Sequence, residues 1–126
     1  MIGNKIIVDT NIVIYFFKGH PEVKKYFYDS DPYVSFISEL ETLSSPDFAS
    51  DETSQIKGFF ANQIVIGYLP ELRDIIIRIR SSKKLKLPDA IIAATAIHFD
   101  IPLFSSDKAF KNIDGLKFFY HEPSIS

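Results

Sequence analysis

Short β-branched runs alternate along the chain with longer amphipathic ones, and this alternation limits the fold to a small class. "KIIV" (5–8) reads as a strand, and Asn11 to Lys18 as a helix stopped by Gly19. Pro21 opens a second helix through "EVKKYFYD", and "YVSF" is a second strand. "ISELETLSS" is a helix ended by Pro46, and Ser50 or Asp51 caps a short helix within "SDETSQIKGFFAN". "QIVIGYL" is a third strand, followed by the helix "PELRDIIIRIRSS" with Pro70 in its first turn. Pro88 opens the helix "PDAIIAATAIHFD", and "IPLFS" and "LKFFY" close the chain as strands. Strands and helices in this order imply an α/β domain with a mostly parallel sheet. A length of 126 residues predicts a single domain over 1–126.

Hydrophobic residues make up 46% of the chain, enough for a proper core. The absence of cysteine excludes disulfides, thiolate metal sites and a cysteine nucleophile. No stretch of about 18 apolar residues is present to span a membrane. Asp9 breaks the first apolar run too early for a secretory signal. A soluble, cytoplasmic protein is therefore the expectation. A net charge of -2 argues against indiscriminate coating of nucleic acid, yet leaves room for a local basic surface. "RDIIIRIRSSKKLK" gathers Arg73, Arg78, Arg80, Lys83, Lys84 and Lys86 around one acid, Asp74. Such a run reads either as a solvated helix face or as a phosphate-contacting surface.

Four acids stand in unusual places. Asp9 ends the first strand, and Asp89 begins a helix rich in small residues (Ala90, Ala93, Ala94, Ala96) that should be buried. Asp107 follows the strand "IPLF" and begins another helical turn. Glu41 lies next to Leu40, one turn after Ile37, at the border of a buried stripe. Taken singly, the aspartates read as helix caps or partners of helix dipoles, and Glu41 as an edge residue reaching solvent. Taken together, they fall where a parallel sheet gathers its ligands. The carboxyl ends of strands and the starts of the following helices share one edge. Carboxylates crowded there raise one another's pKa unless a cation compensates them. Oxygen donors without cysteine or clustered histidine favour Mg²⁺ or Mn²⁺ over Zn²⁺. His20, His98 and His121 show no ligand-like spacing. A carboxylate-held metal can activate water and stabilise charge on a phosphate, which suits phosphodiester hydrolysis.

These residues resemble the PIN-domain ribonucleases, most closely the small VapC-type toxins of toxin–antitoxin pairs. The resemblance runs over nearly the whole chain. "IIVDTNIVIYFF" is similar to the family's opening strand, acid and first helix, with Thr10 and Asn11 as its polar pair. "VSFISELETL" is similar to the segment that supplies the glutamate; it holds both Glu39 and Glu41, and the spacing from Val34 selects Glu41. "KLPDAIIAATAIHFDIPLFSSDKAF" carries the Pro-Asp-Ala opening, the small-residue helix and the strand leading to Asp107. Ser105 stands where the family often has threonine, and it keeps the hydroxyl.

The resemblance implies a three-layer α/β/α fold and a metal-dependent endoribonuclease. Asp9, Glu41, Asp89 and Asp107 would be the catalytic and metal-holding residues for one or two Mg²⁺ or Mn²⁺ ions. Thr10, Asn11 and Ser105 would support them. Lys83, Lys84 and Lys86 would contact RNA. A homodimer and a small antitoxin protein are the implied partners. Three other readings stand beside it: a non-catalytic PIN-like RNA-binding or assembly module, a DNA-directed nuclease, and a structural domain in which every acid is a cap.

Overall fold

In a computed structural model that describes residues 4–122, every expected strand and helix is present. The order is β1 (Lys5–Val8), α1 (Thr10–Phe17), α2 (Pro21–Asp29), β2 (Asp31–Ser35), α3 (Phe36–Leu43) and α4 (Thr53–Ala61). Then come β3 (Ile64–Ile66), α5 (Leu72–Ser82), α6 (Leu87–Phe99), β4 (Leu103–Ser105) and β5 (Phe118–Tyr120). Single 3-10 turns cover Ser50–Glu52 and Lys108–Phe110. The strands form one sheet in the order β3-β2-β1-β4-β5, and every neighbouring pair is parallel. The chain winds outward from β1 through β2 to β3, then returns to the other side of β1 for β4 and β5. β1 and β4 therefore flank the point where the winding reverses, and their carboxyl ends open a crevice there.

The period-2 alternation of the strands feeds two cores, one on each face of the sheet. Ile7 and Leu103 pack with Leu72, Ile76, Ile79 and the α6 residues Ala90, Ile92, Ala93, Ala94 and Ala96. Val8 and Phe104, their chain neighbours, pack with Val34 of β2 and with Ile12, Val13, Val23, Phe27, Ile56 and Phe60. The result is the expected three-layer α/β/α arrangement. Most of the aromatic surplus near the N-terminus is used in the second core. Phe16 stacks on Phe27 at 4.3 Å between ring centroids, and Phe59 meets Phe16 and Phe17 at 5.3 and 4.9 Å.

Helix α1 ends as its glycine predicts. Gly19 takes a positive φ of 79°, its N–H donates to Phe16 O, and the His20 N–H donates to Tyr15 O. This doubly bonded termination needs a left-handed residue, which glycine supplies without a Cβ clash. Two expected helix starts differ. Ser50 and Asp51 lie inside a 3-10 turn and do not cap α4; Glu52 Oε1 reaches back to accept from the Ala49 N–H at 2.8 Å. Pro70 lies in a turn before α5, where its carbonyl accepts from Arg73 N, and the helix starts at Leu72.

Candidate active site

The first strand delivers Asp9 to the crevice and the next helix fixes it there. Its backbone is extended (φ -72°, ψ 160°) and it is the N-cap of α1. Its Oδ1 accepts from the Thr10 N–H at 2.8 Å. Its Oδ2 accepts from the Ser105 hydroxyl, at the end of β4, at 2.7 Å. Ser105 Oγ itself accepts from the Asp107 N–H at 2.9 Å, so one hydroxyl ties two acids from opposite ends of the sequence. Asp107 also caps its 3-10 turn, accepting from Ala109 N at 2.9 Å. On the other side, the Thr10 hydroxyl donates to Glu41 Oε1 and lies 3.1 Å from Ser38 Oγ. Asp89 enters from the first turn of α6, half-buried. Capping and clustering are thus compatible, because a carboxylate that caps with one oxygen keeps further lone pairs.

All four acids line one cavity of about 340 Å³, together with Thr10, Asn11, Ile14, Ser44, Ser45 and Pro46. Its electrostatics follow from burial first and from crowding second. Asp9 is only 4% exposed, and burial pushes its pKa from 3.8 to about 6. The hydrogen bonds from Ser105 and Thr10 oppose that rise, while the charges of Asp89 and Asp107 add to it. Burial also raises Asp89, with Asp107 and Glu41 adding repulsion and Lys86 opposing it. Among the described residues, no three or more His, Cys, Asp or Glu side chains stand close enough together to hold a metal ion as they are placed. The acids line the cavity without converging on a point. The donor set is nevertheless of hard oxygens under mutual repulsion, and a divalent cation relieves that state.

Several details were not anticipated. Glu41 was expected beside a stripe that included Leu40, but Leu40 is 57% exposed. The buried positions of α3 are Ser38 and Thr42, with Thr42 Oγ1 donating to Ser38 O at 2.7 Å. Ser38 belongs to the site through Thr10. Its position three residues before Glu41, on the same helix face, was the available signal. Of the basic run, Lys86 is the N-cap of α6 and the one whose charge is felt at Asp89. The Lys83 ammonium donates to Lys111 O at 3.1 Å, and Lys84 is exposed. Lys83, Lys84 and Lys86 line a separate hollow of about 400 Å³ with Arg80 and Leu85.

Comparison with known proteins places this geometry in context. The family model described as PIN domain matches residues 6–116. A comparison with curated proteins finds no match. Among solved structures, a toxin–antitoxin complex from Klebsiella pneumoniae contains a chain 26% identical, with a TM-score of 0.78. That alignment covers 88% of this chain and 94% of the other. DNA-bound VapBC from Salmonella typhimurium gives a TM-score of 0.81 at 20% identity, covering 92% of this chain and 97% of that one. VapBC2 from Rickettsia felis, bound to a promoter DNA fragment, gives 0.74 at 18% identity, covering 92% and 98%. The latter two speak for the fold alone.

Proposed function

The chain belongs to the PIN-domain family, and from that membership and the acid-lined cavity we propose a metal-dependent endoribonuclease, the toxin component of a toxin–antitoxin pair. The observation that carries this reading is the single cavity lined by Asp9, Glu41, Asp89 and Asp107 at the reversal point of the sheet. The solved complex from Klebsiella pneumoniae, similar over most of both chains, supports the toxin reading and a small antitoxin as partner. A homodimer acting on cytoplasmic RNA completes the proposal.

The four acids would hold one or two Mg²⁺ or Mn²⁺ ions. Such an ion, when bound, supplies an activated water and stabilises charge on the phosphate. The chain's own contribution is placement. Ser105 and the Thr10 amide lock both oxygens of Asp9 in one orientation. Thr10 turns Glu41 toward the cavity. Asp107 is set by its own N–H on Ser105 and by its cap on the following turn. Asn11 adds a polar group at the mouth, where it is exposed. Burial around Asp9 thins the water that would otherwise screen these charges. Lys86 offers positive charge beside Asp89, and with Lys83 and Lys84 it forms a basic shoulder for the RNA backbone.

The test is cleavage of a total RNA pool, read by end sequencing. Discrete ends should appear with Mg²⁺ or Mn²⁺ and vanish with EDTA or in Asp89→Asn. RNA that is bound but never cut would favour a non-catalytic PIN-like module. Cutting that survives EDTA would overturn the metal mechanism.

A further inference from the structure

Tyr120 ends β5 on the carboxyl edge of the sheet, in register with Ser105 of β4. The next residue extends that pairing, with the His121 N–H donating to Ser105 O at 2.9 Å. Ser105 is the residue whose hydroxyl ties Asp9 to Asp107. Tyr120 is therefore one strand away from the acid cavity. Two ammonium groups approach its ring. Lys108 Nζ is 5.7 Å from the centroid, and Lys111 Nζ is 5.6 Å. Both lysines come from the short turn that Asp107 caps.

That turn is anchored from a second direction, because the Lys83 ammonium donates to Lys111 O. Partial loss of water and the neighbouring Glu122 carboxylate hold the Tyr120 hydroxyl above its ordinary pKa, with smaller effects from Tyr15 and Asp107. The phenol hydroxyl donates to the Glu122 carboxylate.

Like charges repel, and surface lysines ordinarily keep their ammoniums apart in water. The negative face of an aromatic ring offsets that repulsion and holds cations near it. A phosphate backbone passing this ring meets both ammoniums, held 5.7 and 5.6 Å from its centroid. The distance from the acids also matters. The lysines adjoin Asp107 in sequence, yet neither lines the acid cavity, so they leave the acids free. A ligand spanning both features needs an extended chain of phosphates, one at the acids and another at the lysines.

We propose that Tyr120, Lys108 and Lys111 form a phosphate clamp, which grips the RNA backbone next to the phosphate being cut. The inference rests on the ribonuclease reading and names the path of the substrate through that site. In it, Tyr120 is a positioning residue that acts through the two lysines. It extends the basic shoulder of Lys83, Lys84 and Lys86 to the neighbouring turn, and gives Lys83 the added role of bracing that turn.

The experiment measures binding of a labelled RNA oligonucleotide by fluorescence anisotropy in EDTA, across a KCl series. The Lys108→Ala and Lys111→Ala variants should each lower the salt slope by about 0.7, the value for one single-strand phosphate contact. Tyr120→Leu keeps both lysines, yet should weaken binding by up to roughly 5- to 30-fold, the range two surface cation–π contacts supply. Tyr120→Phe keeps the ring and should restore the affinity. With Mn²⁺ present, Tyr120→Leu should raise KM more than it lowers kcat. Should Tyr120→Leu fail to fold, the two lysine variants decide the matter through the slope. Wild-type affinity and slope in all of these variants overturn the clamp while leaving the ribonuclease reading intact. No RNA binding by the wild type overturns both. A polyglutamate peptide whose binding depends on Tyr120, with RNA affinity unmoved, would make the lysines a protein-docking feature and also overturn the clamp.

Discussion

Asp9 carries its charge where the surroundings disfavour it. Burial dominates, since the nearest compensating groups are a hydroxyl and an amide and not a cation. The folded chain therefore binds a proton at Asp9 up to about pH 6, whereas the unfolded chain releases it near 3.8. Between those values the folded state holds more protons than the unfolded one. Stability of the metal-free protein should fall as pH rises through that window, and the loss is complete above it. A shift of this size corresponds to roughly 3 kcal/mol. Asn at this position removes the charge and keeps an oxygen to accept from Ser105, but its NH2 then faces the Thr10 N–H and that cap bond, worth about 1 kcal/mol, is lost. Asp9→Asn should accordingly raise the metal-free stability at pH 7 by roughly 2 kcal/mol, and should abolish cleavage. The readout is the difference between wild-type and variant urea melts in EDTA from pH 4 to 7, which cancels the titration of other carboxylates. Parallel curves would show that the buried charge is not what costs stability.

Helix α3 presents one of its two glutamates to the cavity. A two-residue step turns about 200° around a helix, so Glu39 and Glu41 face opposite ways. Glu41 meets the Thr10 hydroxyl and lines the cavity; Glu39 does not line it. Glu41→Gln should lose cleavage by roughly 10²-fold or more, the scale of a lost ligand or acid–base group. Glu39→Gln should change the rate by less than about 2-fold and stability within about 0.5 kcal/mol. Single-turnover rates on one RNA check both, and the opposite ranking would shift the assignment by two residues. Elements of this kind were legible where periodicity and punctuation agreed: β1 with Asp9 at its end, Gly19 stopping α1, Pro88 opening α6. They were less legible where tertiary contacts overrode them. The polar face of α3 is buried because Thr42 satisfies itself on the Ser38 carbonyl, which no hydrophobic pattern reveals. Helix α6 ends on Asp100 in the left-handed region (φ 54°), where glycine or asparagine is the usual signal. The pairing of Tyr120 with two lysines depends on the β4–β5 register and on a turn elsewhere in the chain, so its sequence neighbours carry no trace of it.

At the scale of the whole molecule, the topology decides where the charge collects. Because the winding reverses at β1, helix α1 and the turn after β4 leave the carboxyl ends of their strands toward opposite faces of the sheet, and acids from four distant segments line one opening. Their repulsion and desolvation are a cost to the entire fold, since a domain of this size unfolds as a unit with only about 5–15 kcal/mol in reserve. A ligand that binds the folded state alone returns stability as RT ln(1 + [L]/Kd), about 2.7 kcal/mol at a hundredfold excess over Kd. For a chain of this length, that is a rise in Tm on the order of 10 °C. Titrating Mn²⁺ into the EDTA-stripped wild type should therefore raise Tm in a saturable manner. KCl at matched ionic strength should give a smaller, unsaturated change, because screening acts on exposed charges and reaches buried ones weakly. Asp89→Asn should start from a higher metal-free Tm, having lost one repelling charge, and should gain less from Mn²⁺. An equal gain in wild type and Asp89→Asn would place the bound ion away from the four acids. No gain in the wild type would mean that the acids are tolerated without a cation, and the metal-dependent reading would then lose its physical basis.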